Sequence, residues 1–354
     1  MASTPREALI KSFKGQKIRI YDLDKVMSGW PSVANPNLDI LRHDVQARTT
    51  KLFTGKRREI AEAVNPAWFG SLWWPYAGIE ELRIATYLGM WLFSWDDETD
   101  SSAIASLNKD YSSGQSFRRR TWLYVQSSLG FEISAADQQV VDQEHDVLIT
   151  SFGTAGEAIR NSCSLEKRQL LLDEVKYFLN CQAEEQSATL RVDLPTVEQY
   201  RSNRMGTSGV GVLLAITEYC CRTNLPLEVT QSGAMKWLWD ETNSAIWMAN
   251  DILSIKKELD NDQVDTLVPL LAHRYQDAQV AVDIAISMLK NALENFEKAA
   301  ALLLAEEPRA REDIIKFIDA CRFACTANFK WSFNCRRYGL KAEDVVDGVL
   351  ELTL

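Results

Sequence analysis

Apolar residues recur every three or four positions along most of the chain, which is the spacing of one face of an α-helix. The pairs Asn65-Pro66 and Trp74-Pro75 break the first helical segments apart, and Gly206 and Gly209 interrupt a later one. Alternation with the period of a β-strand is scarce. The pattern predicts helices over nine segments: 37–63, 77–98, 118–130, 135–152, 165–190, 196–223, 232–261, 276–305 and 309–338.

The organisation of the chain follows from where this pattern begins. Turn residues Gly29, Pro31 and Pro36 mark residues 1–35 as a loose leader. Residues 36–354 contain no linker rich in serine or glycine, no low-complexity tract and no internal repeat. Consecutive helices without a linker predict one all-α domain, a helical bundle with a central cavity between its helices. Such a bundle by itself fixes no function.

Composition and charge narrow the classes of function. The 354 residues are 46% hydrophobic and 25% charged, which allows a sizeable core. A net charge of −10 argues against a nucleic-acid partner, because such proteins carry a basic surface. An acidic protein binds an anionic substrate readily when metal ions lie between its carboxylates and the anion. Eleven tryptophans are enough to line an apolar pocket as well as a core.

Targeting segments and cysteines in the sequence predict the cellular compartment. The polar start of the sequence gives no signal peptide, and no apolar run is long enough for a membrane span, so a cytoplasmic protein is expected. Seven cysteines include no C-x-x-C pair, and Cys220–Cys221 and Cys321/Cys325 fall in apolar helical stretches. Buried free thiols are therefore expected. A homodimer is left open. Three histidines belong to no motif and are expected to be structural or exposed: His43, His145 and His273.

Carboxylates are concentrated at the end of one apolar helical segment, in Asp96-Asp97-Glu98-Thr99-Asp100. Asp96 and Asp100 are four residues apart and share a helix face. Oxygen ligands of this kind suit Mg2+. A solvated acidic helix end is the alternative interpretation. It is weakened because four neighbouring carboxylates repel one another without a cation, and because acidic groups at a helix C-terminus oppose the macrodipole.

A second motif runs from Asn250 to Glu258. Asn250, Ser254 and Glu258 lie four residues apart in turn, and they form one stripe over two helical turns. An amide oxygen, a hydroxyl and a carboxylate there make an all-oxygen chelate for one Mg2+. Lys257 lies beside the stripe, where it would bind a phosphate oxygen, whereas Lys256 points elsewhere. The alternative is a plain polar seam, but Asn and Ser are poor residues to build it from inside a helix.

Together these motifs resemble those of class I terpene synthases, especially microbial and fungal sesquiterpene cyclases. The first motif is similar to the family's aspartate-rich motif, and the second to its N-D-x-x-S-x-x-K-E motif. Arg204 precedes Asn250 by 46 residues, the family's spacing for the arginine that senses the diphosphate. Arg337-Tyr338 matches the family's C-terminal Arg-Tyr pair. The resemblance covers about residues 90–340.

The resemblance implies an activity and its cofactor. An isoprenoid diphosphate would be ionised with three Mg2+ ions, Mn2+ being a substitute, and then cyclised. Farnesyl diphosphate is the expected substrate and geranylgeranyl diphosphate the alternative. A prenyl-elongating synthase normally has two aspartate-rich motifs, which disfavours it here, and a non-catalytic scaffold would not need all four elements.

The resemblance also assigns roles to residues. Thr207 and Ser208 would follow the sensor as linker and effector. Phe93 lies three residues before Asp96, Trp247 three before Asn250 and Trp331 six before Arg337, so each is expected either to face the substrate or to pack in the core. Aromatic faces stabilise cations through their quadrupole. The expected metal ligands are Asp96, Asp97, Asp100, Asn250, Ser254 and Glu258, and the expected diphosphate-binding residues are Arg204, Lys257, Arg337 and Tyr338.

Overall fold

The structure, a computed structural model, describes the chain except residues 1–3, 22, 101–106, 108 and 192, and it leaves out the side chains of residues 23, 24, 100 and 342.

Short polar side chains mark where several helices begin. Asp110 and Ser232 each accept a hydrogen bond from an amide in the first turn of the helix that follows. Such caps satisfy amides that have no partner within the helix.

Helices make up most of the described chain, as the hydrophobic pattern predicts. They are α1 (Pro5–Phe13), α2 (Leu23–Val26), α3 (Leu38–Leu52), α4 (Gly55–Ala63), α5 (Pro66–Trp73), α6 (Ile79–Asp100), α7 (Tyr111–Ser128), α8 (Ala135–Asp142), α9 (Val147–Thr150), α10 (Gly153–Ser162), α11 (Leu165–Thr189), α12 (Val197–Thr207), α13 (Val210–Leu214), α14 (Thr217–Cys221), α15 (Leu227–Thr230), α16 (Gly233–Asp260), α17 (Leu267–Tyr275), α18 (Ala278–Glu306) and α19 (Arg311–Ser332). Short 3-10 helices span Pro308–Ala310 and Ala342–Asp344.

The chain folds into two compact units, each built from separate stretches of sequence. The first unit comprises Met1–Val33, Ala188–Met205 and Asn224–Leu354. Within it α16 packs against α18 and α19, and α17 packs against α18. Ile252 of α16 and Leu289 of α18 are completely buried there. Burial of each such side chain contributes about 1.5–3 kcal/mol, so this helical layer holds the second motif on a rigid support.

The second unit comprises Ala34–Ser187 and Gly206–Thr223. Its long helix α6 packs against α3, α5 and α10, and its C-terminal turn carries the acidic motif. At the contact between α5 and α6, a Cβ on Gly70 would overlap Oγ1 of Thr86, so only glycine allows the two helices to approach this closely. Leu88 of α6 is completely buried.

The first 35 residues are not the loose leader that the turn residues indicated. Besides α1, they contain strand β1 (Lys17–Tyr21), which pairs antiparallel with β3 (Val349–Thr353), and β2 (Val345–Val346) pairs with β3 on its other side. Ile18 and Ile20 of β1 are completely buried. A five-residue strand whose partner lies at the other end of the chain gives little local signal, which is why the pattern missed it. The single domain over 36–354 stays a prediction.

Helix boundaries differ from the prediction where the backbone turns. The segment 196–223 contains α12, α13 and α14 rather than one helix, and Gly209, with a φ of +67°, forms the break between α12 and α13. The segment 309–338 ends its helix at Ser332, so that Arg337 and Tyr338 lie beyond α19. Helix α5 was missed because it is almost wholly apolar and shows no periodicity.

Several further expectations concern burial and chemistry. No helix in the described ranges is both long and apolar enough to cross a bilayer. No disulfide bond joins any of the seven cysteines, all of which lie within the described ranges, and Cys221 is half-buried rather than buried like Cys220, Cys321 and Cys325. The three histidines are exposed.

Candidate active site

The second motif lies in the C-terminal half of α16, where most side chains are buried. The hydroxyl of Ser254 donates a 2.6 Å hydrogen bond to Oε1 of Glu258. Ser254 is 1% exposed and Glu258 6% exposed. The second carboxylate oxygen of Glu258, Oε2, has no hydrogen-bond partner of good geometry among the described residues, although the Thr266 hydroxyl interacts with this carboxyl group. A buried carboxylate oxygen without a partner is costly, and this one would be satisfied by a cation.

Burial also changes the acidity of this carboxyl group. The low-dielectric surroundings raise the pKa of Glu258 above the ordinary range of a glutamate, and the neighbouring charge of Asp251 raises it further. A positive charge at the site would reverse both effects.

Arg204 reaches this helix from the C-terminal part of α12. Its Nη2 donates to Oδ1 of Asn250 at 3.0 Å and to Oδ1 of Asp251 at 3.0 Å, and its Nε donates to the same Asp251 oxygen at 3.2 Å. Asn250, the first member of the stripe, is thus joined to the predicted sensor arginine. The structure brings together two residues that the sequence places 46 positions apart.

Tyr338, of the C-terminal Arg-Tyr pair, meets the same asparagine. Nδ2 of Asn250 donates a 2.7 Å hydrogen bond to the hydroxyl oxygen of Tyr338. Tyr338 is 6% exposed, and burial raises the pKa of its phenol, which keeps the hydroxyl protonated. Trp331 packs edge-on against the Tyr338 ring at a centroid distance of 5.5 Å. Arg337, next to Tyr338, is half-buried.

The two lysines of the second motif differ in exposure. Lys256 is exposed, whereas Lys257 is half-buried beside the stripe. Its backbone carbonyl accepts a hydrogen bond from Nδ2 of Asn261, just after α16 ends. The difference follows from the 100° rotation between successive residues of a helix.

In the second unit, the acidic motif at the end of α6 directs its side chains in different directions. Oδ1 of Asp96 accepts a 2.9 Å hydrogen bond from Nε2 of Gln182 on α11. Glu98 instead pairs with Arg57 of α4 at 2.7 Å, and Asp97 lines a small hollow beside this ion pair. Asp97 and Glu98 are 6% and 4% exposed. The side chain of Asp100 lies outside the described part of the structure.

The donor atoms of these side chains determine which metal ions could bind here. Across the described residues, no cluster of three or more His, Cys, Asp or Glu side chains could hold a metal ion. The stripe on α16 uses Asn and Ser as well, and its unpartnered Glu258 oxygen fits a hard cation. Within the acidic motif, the carboxylate of Asp96 points toward α11, whereas Asp97 lies on the side of α6 that faces Arg57.

The residues after the sensor lie where α12 gives way to α13. Thr207 is 3% exposed, and its hydroxyl has no hydrogen-bond partner among the described residues. The hydroxyl of Ser208 accepts a hydrogen bond from the amide of Val210 at 3.3 Å. Gly209 takes the left-handed conformation, and a Cβ there would meet Leu92 of α6. The predicted linker and effector positions thus lie at a true helix break.

The predicted pocket aromatics all pack against other rings. Phe93 is half-buried and meets Phe69 edge-on at 5.1 Å. Trp247 is 1% exposed, meets Tyr200 edge-on at 6.2 Å, and its indole N–H has no hydrogen-bond partner within the described chain. These contacts fix the rings in place, as required both of core residues and of pocket walls.

Sequence reasoning missed four residues that support the motifs: Tyr200, Asp251, Gln182 and Arg57. Gln182 had a detectable signal, because it and Gln186 are polar residues four apart on an otherwise apolar face of α11. Tyr200 lies one turn before Arg204, which also indicates a shared face. Arg57 stands in a run of charged residues and gave no signal.

Comparisons with known proteins identify the relatives of the chain. The sequence profile of terpene synthase family 2, C-terminal metal binding, matches residues 87–295. The sesquiterpene cyclase hepA of Aspergillus oryzae is 30% identical over 344 residues, which cover 95% of this chain and 93% of that protein. The terpene cyclase braA of Annulohypoxylon truncatum is 25% identical over 351 residues, covering 94% of this chain and 89% of that protein.

A solved structure supports the same fold. Germacradien-4-ol synthase from Streptomyces citricolor superimposes with a TM-score of 0.70 at 16% sequence identity, covering 86% of this chain and 96% of that chain. At this identity the likeness concerns the fold alone.

Proposed function

The chain belongs to terpene synthase family 2, and on this premise we propose that it releases diphosphate from farnesyl diphosphate and cyclises the C15 chain to a sesquiterpene. The class I resemblance of its motifs is confirmed by the family match and by the relatives. The observation that supports the substrate proposal is the meeting of Arg204 and Tyr338 on Asn250, two helical turns before Glu258, whose Oε2 has no hydrogen-bond partner among the described residues. Donors for an anion and ligands for a cation lie side by side there.

The proposed cofactor is Mg2+, with three ions as the family resemblance implies and Mn2+ as a substitute. Asn250, Ser254 and Glu258 would hold one ion, and Asp96 would hold the others, with Asp97 and Asp100 as further proposed ligands. The bound ions supply Lewis acidity that stabilises the negative charge of the departing diphosphate.

The residues of this chain bind and orient the diphosphate. Arg204 and Arg337 offer planar guanidinium forks that match phosphate oxygens, and Lys257 adds a point charge. Tyr338 keeps its proton because burial raises its pKa, so it acts as a hydrogen-bond donor to the leaving group. Thr207 and Ser208, at the helix break after α12, are proposed to contact the substrate near the bond that breaks. Pre-aimed donors of this kind need no reorganisation as the charge develops.

The hydrocarbon part of the substrate is proposed to lie against aromatic rings. Phe93, Trp331 and Trp247 are held by edge-on contacts with neighbouring rings, so their faces are fixed. A fixed ring face stabilises a passing cation by about 0.5–2 kcal/mol and is not a nucleophile. The identity of the rings then governs where the cation is quenched.

Geranylgeranyl diphosphate is the alternative substrate, giving a diterpene. A prenyl-elongating synthase is disfavoured because the second motif is Asn, Ser and Glu rather than a second aspartate-rich motif.

One experiment tests these proposals. The purified protein is incubated with the C10, C15 and C20 diphosphates, with Mg2+ and with excess chelator, and products are identified by gas chromatography and mass spectrometry. We expect a cyclic C15 product and released diphosphate only with metal. Turnover in excess chelator, or no turnover of any diphosphate, would refute the proposal, and a cyclic product from the C20 substrate alone would replace farnesyl diphosphate by its longer homologue.

A further inference from the structure

Asp251 is the most enclosed carboxylate of the second motif, although it lies off the Asn250 stripe. It follows Asn250 directly, so it projects about 100° away around α16. Its side chain is 0% exposed. Four hydrogen bonds converge on it: from the Tyr200 hydroxyl to Oδ2 at 2.5 Å, from the Leu267 amide to Oδ2 at 3.3 Å, and from Nε and Nη2 of Arg204 to Oδ1 at 3.2 and 3.0 Å.

These donors divide the two oxygens of Asp251 between them. Oδ2 is held by Tyr200 and by the first amide of α17, a position where a helix attracts negative charge. Burial together with the Asp251 charge raises the pKa of Tyr200 well above its ordinary value, so the phenol remains a donor. With Oδ2 fixed, Oδ1 has one orientation, and that orientation points at the guanidinium of Arg204.

The consequence for Arg204 is a fixed side chain. Arginine has many rotamers, and ordering it on binding would weaken the affinity for a ligand. Here the guanidinium is held through two of its nitrogens, and its side chain is only 18% exposed. Nη2 also reaches Asn250, so a cation that takes the Asn250 oxygen leaves Arg204 still held by Asp251.

We infer that Asp251 and Tyr200 are positioning residues, which hold the guanidinium of Arg204 oriented before a diphosphate group arrives. Neither residue is proposed to touch the substrate or a metal ion; both act through Arg204. The inference rests on the proposed function, because it takes Arg204 as a diphosphate-binding residue. It adds to that function a support for Arg204 made of three residues: Tyr200 of α12, Asp251 of α16 and Leu267 at the start of α17.

The test uses Tyr200→Phe, which removes one hydroxyl and keeps the ring against Trp247. Binding of inorganic diphosphate in the presence of Mg2+ is measured by calorimetry on the full chain, alongside circular dichroism and the melting temperature. We expect binding to be about threefold to tenfold weaker, because the rotamer-rich side chain of Arg204 would then have to be ordered on binding. Tyr275→Phe, which removes the hydroxyl of an exposed tyrosine at the end of α17, is the matched control and should bind as the wild type does.

A second variant and a double-mutant cycle distinguish the positioning of Arg204 from a general loosening of the fold. Asp251→Asn retains the shape of the side chain but loses its charge, and should weaken diphosphate binding at least as much as Tyr200→Phe. If Tyr200 acts through Arg204, Tyr200→Phe should have no further effect in an Arg204→Gln background. In steady-state kinetics, Tyr200→Phe and Asp251→Asn should each raise KM for the isoprenoid diphosphate by a larger factor than they lower kcat.

The outcomes are distinguishable from failure of the proposed function. Wild-type binding by both Tyr200→Phe and Asp251→Asn would overturn the inference while leaving the function intact. So would an equal loss caused by Tyr200→Phe with and without Arg204, since that loss would not pass through the arginine. A wild-type protein that neither binds diphosphate with Mg2+ nor turns over any isoprenoid diphosphate would instead refute the function itself.

Discussion

Nδ2 of Asn250 donates a 2.7 Å hydrogen bond to the hydroxyl of Tyr338, while Oδ1 of the same amide accepts one from Arg204. One carboxamide therefore links a predicted metal ligand to two predicted diphosphate-binding residues. A cation bound to Oδ1 would compete with Arg204 for that oxygen. Such a cation would remove only this one hydrogen bond of Arg204, because Asp251 still accepts hydrogen bonds from its Nε and Nη2.

The first prediction concerns the stripe on α16. Asn250→Ala and Glu258→Ala should keep the helical circular dichroism spectrum but lower turnover by more than the roughly 10–100-fold that loss of outer-shell support costs a metal site. The reason is that one ion loses a direct ligand. Lys256→Ala, an exposed change on the same helix, is the control and should turn over normally. Wild-type rates in both stripe variants would reduce the stripe to a polar seam.

The second prediction concerns pH. Burial raises the pKa of Glu258, and only the ionised carboxylate binds a metal, so protons and Mg2+ compete for it. As the pH falls through this raised pKa, the Mg2+ concentration needed for half-maximal turnover should rise, by up to about tenfold per pH unit. Saturating Mg2+ should restore the rate.

Calorimetry in buffers of different ionisation enthalpy checks this directly. Mg2+ binding should release a proton on the acidic side of the raised pKa and release none well above it. Glu258→Gln removes the titrating group, and its remaining metal binding should lose this proton release. Equal proton release by the wild type and the variant would assign the titration to another group.

The third prediction concerns Gln182, which holds Asp96 at 2.9 Å. Gln182→Leu keeps most of the volume but removes the donor that orients the carboxylate. Because such outer-shell partners set ligand geometry, the Mg2+ requirement should rise about 10–100-fold. Gln169→Leu, an exposed position on the same helix α11, is the control. A Mg2+ titration that is the same in both variants would show that Asp96 does not depend on Gln182.

The fourth prediction concerns Trp331, where a pocket role and a packing role give different results. Trp331→Leu keeps apolar volume but removes the ring face, so products should shift toward acyclic and monocyclic hydrocarbons while diphosphate release falls less. The lost packing against Tyr338 should also lower the free energy of unfolding, by no more than about 5 kcal/mol.

Product analysis and the melting temperature of the same variant separate the two roles. Trp239→Leu, which removes a half-buried indole of α16 that stacks on Phe317 of α19, is the control for loss of ring packing. A lower melting temperature with an unchanged product spectrum in Trp331→Leu would make this residue part of the core only.

The sequence by itself determined the helical class, the two motifs and the family. Asn250, Ser254 and Glu258 share a face wherever α16 lies, because the 3.6-residue turn of a helix is a property of the backbone. The order and spacing of Arg204, the second motif and Arg337-Tyr338 were enough to predict a class I terpene synthase, which the family match confirmed. The metal and substrate roles of these residues stay predictions.

The tertiary structure alone decided which side chains meet. The pairing of β1 with β3, the turn of Asp96 toward Gln182 while Glu98 meets Arg57, and the support of Arg204 by Asp251 and Tyr200 all join residues distant in sequence. Helical periodicity gives the direction of a side chain around its own axis, but not the element packed against that face. That choice depends on how apolar surface is buried over the whole chain, a sum that no local pattern contains.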